Sequence, residues 1–239
     1  MKNMIEFKEW DKHYGKLKAL HNISLQINPS RVTAIVGPNG SGKTTLTKGI
    51  LGLVKPTMGK LYINGKYLNG DCLYRKDIGY MPQYAKFPEN LKVSEVIDMV
   101  KNIRGYSKDL DLGLVNPFNL AIEMHKKVGT LSGGTRQKLS ALLAFMFHPE
   151  IYIFDEPTAG LDPISSIYLK EQILEEKKKG KTIILTSHIL SEIEELADDL
   201  VFLYEGEIKY TGEVTELMKK TNSNSLEHAL ANLLKELQK

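Results

Sequence analysis

The chain has 239 residues, with 32 Lys and Arg against 29 Asp and Glu and a formal net charge of +3. With 42% hydrophobic residues, 26% charged, 19 Gly and 9 Pro, the composition is that of one large globular domain with room for a modest subdomain. It excludes a disordered, collagen-like or disulfide-built chain. Cys72 has no second cysteine to pair with, and the basic excess is too small to ask for a nucleic-acid partner.

In chain order, residues 1–6 lack the apolar core of a signal peptide. Alternation of Ile23, Leu25 and Ile27 predicts a half-buried strand, and Val32 to Val36 a short buried one. A glycine-rich loop follows over residues 37–42, then a helix over 43–51 with Leu46, Ile50 and Leu51 on one face. Leu61, Tyr62 and Ile63 before Asn64-Gly65 read as a strand and turn, and residues 78–81 as another strand closed by Pro82. From about residue 84 to 147 the pattern turns helical. One amphipathic helix starts at Ser94 and Glu95 and ends at Gly105, and another covers about 136–147. Strand signals return at 151–154 and 182–185 with helices between and after them, a rhythm that predicts a mainly parallel sheet covered by helices. The polar run 221–225 reads as a linker to a last amphipathic helix carrying Leu226, Leu230, Leu233, Leu234 and Leu237. No stretch reaches the roughly 18 apolar residues of a spanning helix, so the chain reads as cytosolic, with any spanning left to another chain.

Gly37-Pro38-Asn39-Gly40-Ser41-Gly42-Lys43-Thr44 fits G-x-x-x-x-G-K-[ST] between a predicted strand and a predicted helix. Glycines let backbone N–H groups wrap phosphates, and the helix N-terminus adds its positive end. Lys43 would reach the β- and γ-phosphates of a nucleotide, and the Thr44 hydroxyl would hold Mg²⁺. Asp155 and Glu156 end the strand 151–154 at the end that faces the ligand crevice of a parallel sheet. One carboxylate, Asp155, can hold Mg²⁺ through water, and Glu156 can polarise an attacking water.

Leu131-Ser132-Gly133-Gly134-Thr135-Arg136-Gln137 opens a helix upstream of Asp155. With the phosphate loop and the Asp155-Glu156 pair it resembles the signature of ATP-binding cassette (ABC) ATPases, over roughly residues 4 to 215. Further motifs stand in the family's order. Tyr14 is similar to the aromatic that stacks on adenine, Gln83 to the glutamine at the subdomain boundary, residues 159–162 to the D-loop, and His188 to the switch histidine. Thr135 departs from the family, which usually has glutamine there.

The resemblance implies an α/β P-loop fold with a mainly parallel core sheet, an antiparallel β subdomain and a helical subdomain inserted at about 84–147. The cassette would run over 4–220, with a C-terminal linker and helix over 221–239. It implies ATP and Mg²⁺ as cofactors and ATP hydrolysis as the activity. Tyr14, residues 37 to 45 through Thr45, Gln83, Ser132, Gly133 and Gly134 would bind nucleotide. Thr44, Gln83 and Asp155 would hold the metal, and Glu156, His188 and Lys43 would carry catalysis. It also implies a homodimer closing head to tail around two ATP, peripheral on the inner membrane face and driving separate transmembrane permease subunits.

The residues around His188 resemble ATPases paired with ABC-2-type permeases; an ABC-2 exporter of a drug, lipid or polysaccharide is the alternative to the narrower match that follows. Residues 78–83, 87–91 and 131–138 resemble the ATPase of a copper-processing transporter for nitrous-oxide reductase maturation. The cassette itself is not expected to bind copper, because Met81, Met99, Met124, His125 and His148 show no ligand spacing. Two other classes compete: an ATP-binding regulatory module without turnover, and a small-molecule P-loop kinase. Glu156 and His188 weigh against the first, and Ser132-Gly133-Gly134 against the second. The charged run 175–181 reads as a solvated helix end, and Trp10 as core rather than as a rival of Tyr14 for adenine.

Overall fold

The computed structural model describes residues 4–105 and 110–237, Leu237 by its backbone alone. Residues 1–3 and the Leu237 side chain, both used above, therefore lie outside the described residues. In chain order the strands and helices are β1 (Ile5–Tyr14), β2 (Leu17–Ile27), β3 (Val32–Val36), α1 (Lys43–Ile50), β4 (Met58–Ile63) and β5 (Lys66–Tyr67). There follow β6 (Ile78–Met81), α2 (Val93–Arg104), α3 (Gly133–Phe145), β7 (Ile151–Asp155) and α4 (Pro163–Lys178). The last are β8 (Thr182–Thr186), α5 (Leu190–Leu196), β9 (Asp199–Tyr204), β10 (Glu207–Glu213), α6 (Val214–Lys220) and α7 (Leu226–Leu237). The chain forms two compact units, Met1–Tyr74 with Thr182–Lys239, and Arg75–Lys181.

The first unit holds an antiparallel sheet in the order β2-β1-β4-β5, with Ile5 opposite Ile27 and Phe7 opposite Leu25. Strand alternation turns Ile5 and Phe7 inward, but Trp10 follows Phe7 by three residues and is also fully buried. Register shifts on both sides of Trp10, with Glu9 at φ 47°, reset the phase and turn the indole inward. There it meets Phe7 edge-on, ring centroids 5.5 Å apart. A Cβ on Gly49 of α1 would lie 2.9 Å from the Trp10 ring, so only glycine lets that helix approach so closely.

Strands β9, β3 and β8 of the same unit run parallel, in the order β10-β9-β3-β8, with β10 antiparallel on the outside. Every residue of β3 and β8 is buried, the mark of a strand covered on both faces. Arg31 clamps the end of β9 through a two-pronged contact with Asp199, at 2.7 and 2.8 Å, and reaches Glu213 at 3.0 Å. α7 lays Leu226, Ala229 and Leu230 into this unit, and the Glu194 carboxylate of α5 accepts from the Leu226 N–H. The leucine stripe is thus in part core of its own unit.

In the second unit β6 and β7 pair in parallel, Ile78 with Ile151 through Met81 with Phe154. Phe145 of α3 packs on Tyr152 and Phe154 at 4.9 and 5.2 Å between centroids. A Cβ on Gly79 would sit 2.3 Å from the Ala144 carbonyl, so β6 and α3 touch backbone to backbone. Burial at this density contributes about 1.5–3 kcal/mol for each large side chain.

Among the described residues of 84–147 the helices are α2 and α3, the two read from the sequence, with two short 3₁₀ turns, Ala121–Glu123 and Val128–Thr130. Three expectations need correction. α3 begins three residues before the expected 136 and stops at Phe145, because Ser132 caps it and His148 turns the chain at φ 48°. Strands β1, β5, β9 and β10 were not foreseen. Glu176 is not solvated: it is 1% exposed, accepting from Tyr152 Oη at 2.8 Å and Gln172 Nε2 at 3.1 Å. Lys179 Nζ, at 2.7 Å, supplies the countercharge.

Candidate functional site

The phosphate loop follows β3 and ends in α1. Its first glycine stands at φ 153°, and a Cβ there would fall 2.1 Å from the Leu203 carbonyl oxygen. Gly42, at φ 105°, is the residue that caps α1, and a Cβ on it would lie 2.8 Å from the Ala19 carbonyl oxygen. These two positions need glycine for both backbone angle and space. Gly40, at φ 81°, has nothing within 4 Å of where a Cβ would stand, so the loop there faces open space. No side chain caps the first turn of α1, which leaves its N–H groups for an anion.

Lys43 Nζ folds over the loop, donating to the Gly37 and Pro38 carbonyls at 2.6 and 3.0 Å. Ser41 is 2% exposed, and its hydroxyl has no hydrogen-bond partner among the described residues. Pro38, Asn39 and Thr44 are exposed, with Thr45 half-buried behind them. An orphaned hydroxyl, an uncapped helix start and a cationic side chain in one loop fit a nucleotide's phosphates. Tyr14 ends β1 at the turn made by Gly15 and is 46% exposed, and His188 is exposed after β8.

In the second unit, β7 carries Asp155 at its C-terminal end, half-buried. Glu156 follows at φ 52° and is 9% exposed. A glutamate in the left-handed region costs of order 1 kcal/mol or more, and such strain collects at functional sites. It turns the chain off the end of β7 directly after Asp155. The Asp155 charge and, more strongly, burial push the Tyr80 hydroxyl up to about 12. A hydroxyl at Thr44 and carboxylate and amide oxygens at Asp155 and Gln83 are hard donors of the kind Mg²⁺ takes.

Gln83 and Tyr84 line a cleft of about 560 Å³ with Lys86, Gly133, Gly134 and Ala159, all in this unit. Gly133 and Gly134 open α3, whose first turn is closed differently from that of α1. Ser132 Oγ accepts from the Thr135 N–H at 3.1 Å and lies 2.8 Å from Thr135 Oγ1. Gly134 abuts the D-loop, since a Cβ there would stand 2.7 Å from the Gly160 carbonyl oxygen.

Asp162 caps α4 through the Ser165 N–H and hydroxyl, at 2.9 and 2.8 Å, and takes Lys138 of α3 at 2.7 Å. The Lys138 contact, with the two from Ser165, holds its carboxyl well below the usual carboxylate range. Sequence reasoning missed Lys138 and the Ser132–Thr135 pair. The spacing of Ser132 and Thr135, a helix cap and the third residue after it, was the signal available for the second.

Comparison with known proteins decides the family. A family model described as ABC transporter matches residues 20–159, more than half of the chain. The chain belongs to the ABC transporter ATP-binding family. It is 36% identical over 205 residues to the lantibiotic transport ATP-binding protein SrtF of Streptococcus pyogenes, covering 86% of this chain and 89% of that one. It is 32% identical to the glutamine transport ATP-binding protein GlnQ of Escherichia coli, over 96% of this chain and 100% of that one. A solved structure of the ATP-binding subunit of an ABC transporter superposes with a TM-score of 0.90 at 30% identity, covering 97% and 99% of the two chains. The cassette is accordingly an ATPase, the ATP-binding motor subunit of an ABC transporter. Among the described residues no helix is long and apolar enough to cross a membrane.

Proposed function

We propose that two copies of this cassette close head to tail around two ATP and drive separate membrane subunits of the ABC-2 export type. The observation that carries this reading is the phosphate loop. Gly37 and Gly42 are fixed by close approach, its helix start has no side-chain cap, and Lys43 already lies across it. ATP would take its phosphates on the loop from Gly37 to Thr45 and its adenine on Tyr14, and would meet Ser132, Gly133 and Gly134 of the second copy.

Mg²⁺, when bound, neutralises charge on the β- and γ-phosphate oxygens, and Thr44, Gln83 and Asp155 are the residues proposed to hold it. Lys43 draws charge off the γ-phosphate. Glu156, turned off its strand at φ 52°, accepts a proton from the attacking water. His188 steadies the γ-phosphate side. Loss of that phosphate releases Ser132 and Gly134 of the second copy, and Gln83 relays the change to the segment 84–147, which docks on the permease.

Export is supported by the residues around His188 and by a relative named for Nod factor export. A second reading, the motor of a copper-processing transporter, rests on residues 78–83, 87–91 and 131–138. The reading frames adjacent to the gene separate the two.

The Glu156→Gln variant tests the motor. ATP hydrolysis is expected to fall by about 10²- to 10⁴-fold, and the variant to elute as a dimer only with ATP. Undiminished hydrolysis, or a monomer with ATP, would sink the proposed role and the dimer respectively.

A further inference from the structure

Lys12 sits two residues before Tyr14 near the end of β1, where the pairing with β2 shifts register. Its ammonium lies 5.0 Å from the centroid of the Tyr14 ring, within reach of a cation–π contact. It does not hover there freely, because Nζ donates to the Lys55 carbonyl at 2.9 Å. Lys55 belongs to the loop that leaves α1, and two more bonds fasten that loop to the same strand. The Thr57 N–H donates to the Asp11 carbonyl at 2.8 Å, and the His13 N–H to Thr57 Oγ1 at 3.0 Å. The end of β1 is therefore tied to the far end of the helix whose start is the phosphate loop.

The geometry points to Lys12 as a positioning residue for the nucleobase. Its pinned ammonium holds the Tyr14 ring in one orientation and draws electron density from it. An adenine then stacks on a ring that is already placed and polarised, and loses less freedom in doing so. This rests on the proposed adenine role of Tyr14 and adds the residue that prepares it.

Steady-state hydrolysis by the full chain, with ATP as substrate and ribose 5-triphosphate as competitor, tests the assignment. Lys12→Met is expected to raise KM for ATP about two- to five-fold, with the effect in KM rather than kcat. Lys12→Arg should restore KM, since a guanidinium also stacks on an aromatic face. Tyr14→Ala should raise KM further, and adding Lys12→Met to it should change nothing more. Inhibition by ribose 5-triphosphate, which has the phosphates without the base, should be equal in all of them.

Weaker inhibition by ribose 5-triphosphate in Lys12→Met would overturn the inference, because Lys12 would then be acting on phosphate charge. If Tyr14→Ala raises KM and Lys12→Met does not, Lys12 alone falls. If Tyr14→Ala has no effect, the adenine role of Tyr14 falls and the inference with it.

Discussion

Two helices of this chain begin on glycine-rich loops, and they begin differently. α1 is capped by the backbone of Gly42 and receives no side-chain bond, while Lys43 lies across its loop. α3 is capped by Ser132, whose oxygen is already engaged with the N–H and hydroxyl of Thr135. A helix start left without a cap keeps its donors for an anion and gives up local stability. A capped start keeps the stability and must exchange a bond to take a ligand. The first suits a site that holds nucleotide through the cycle. The second suits one that engages and lets go.

The comparison breaks first at Gly37. Gly37→Ala would drive a Cβ to 2.1 Å from the Leu203 carbonyl, so it should destabilise the fold by about 1–3 kcal/mol. ATP binding, followed by calorimetry, should fall with it. Normal affinity would mean the loop does not need its close approach to β9.

Ser132→Ala removes the cap of α3 and should cost about 1 kcal/mol. In a thermal melt that is a drop of roughly 2–4 °C at this chain length. The equivalent change at α1 has no cap to remove, and that asymmetry is the sharper test. Thr135→Val, which keeps the N–H bond to Ser132 but deletes the hydroxyl, should cost about 0.5 kcal/mol. It should also favour the ATP-bound dimer of the Glu156→Gln background, because the Ser132 hydroxyl is no longer shared. A weaker dimer would show that Thr135 supports the second site rather than competing with it.

The smallest effect is electrostatic. Lys138, ahead of Ser165, depresses the Asp162 carboxyl in the folded state, so this pair supports the fold above the ordinary carboxylate range. Its contribution should fade as pH falls from that range towards the folded value. Melting temperatures of the native chain and Asp162→Asn should therefore differ near neutrality and converge in acid. Salt should shrink the neutral gap, since Asp162 is exposed to solvent. A gap that survives in acid would assign the effect to capping of α4 instead.

The phosphate loop was legible because its chemistry leaves little choice of residue. Gly37 and Gly42 are dictated by backbone angle and crowding, and the pattern is fixed in sequence. β1 was hidden by its own irregularity, since the bulge beside Glu9 breaks the alternation between Phe7 and Trp10. β9 carries Leu200 to Leu203 as one apolar run, which by periodicity alone fits a buried strand or a turn of helix. That Leu131–Gln137 opens a helix was legible, and the Ser132 cap shows why α3 starts on Gly133. Glu176 was misread because its neighbours in sequence are charged, while the Tyr152 hydroxyl that it meets is brought in by the fold.

Trp10 is the one tryptophan in the sequence, and it lies against Gly49 of the helix that starts at the phosphate loop. Its fluorescence therefore reports on that helix without a label. Nucleotide binding that shifts α1 by a fraction of an ångström changes the packing of the indole. The cassette thus carries its own optical gauge for the first step of its cycle, read in the native protein.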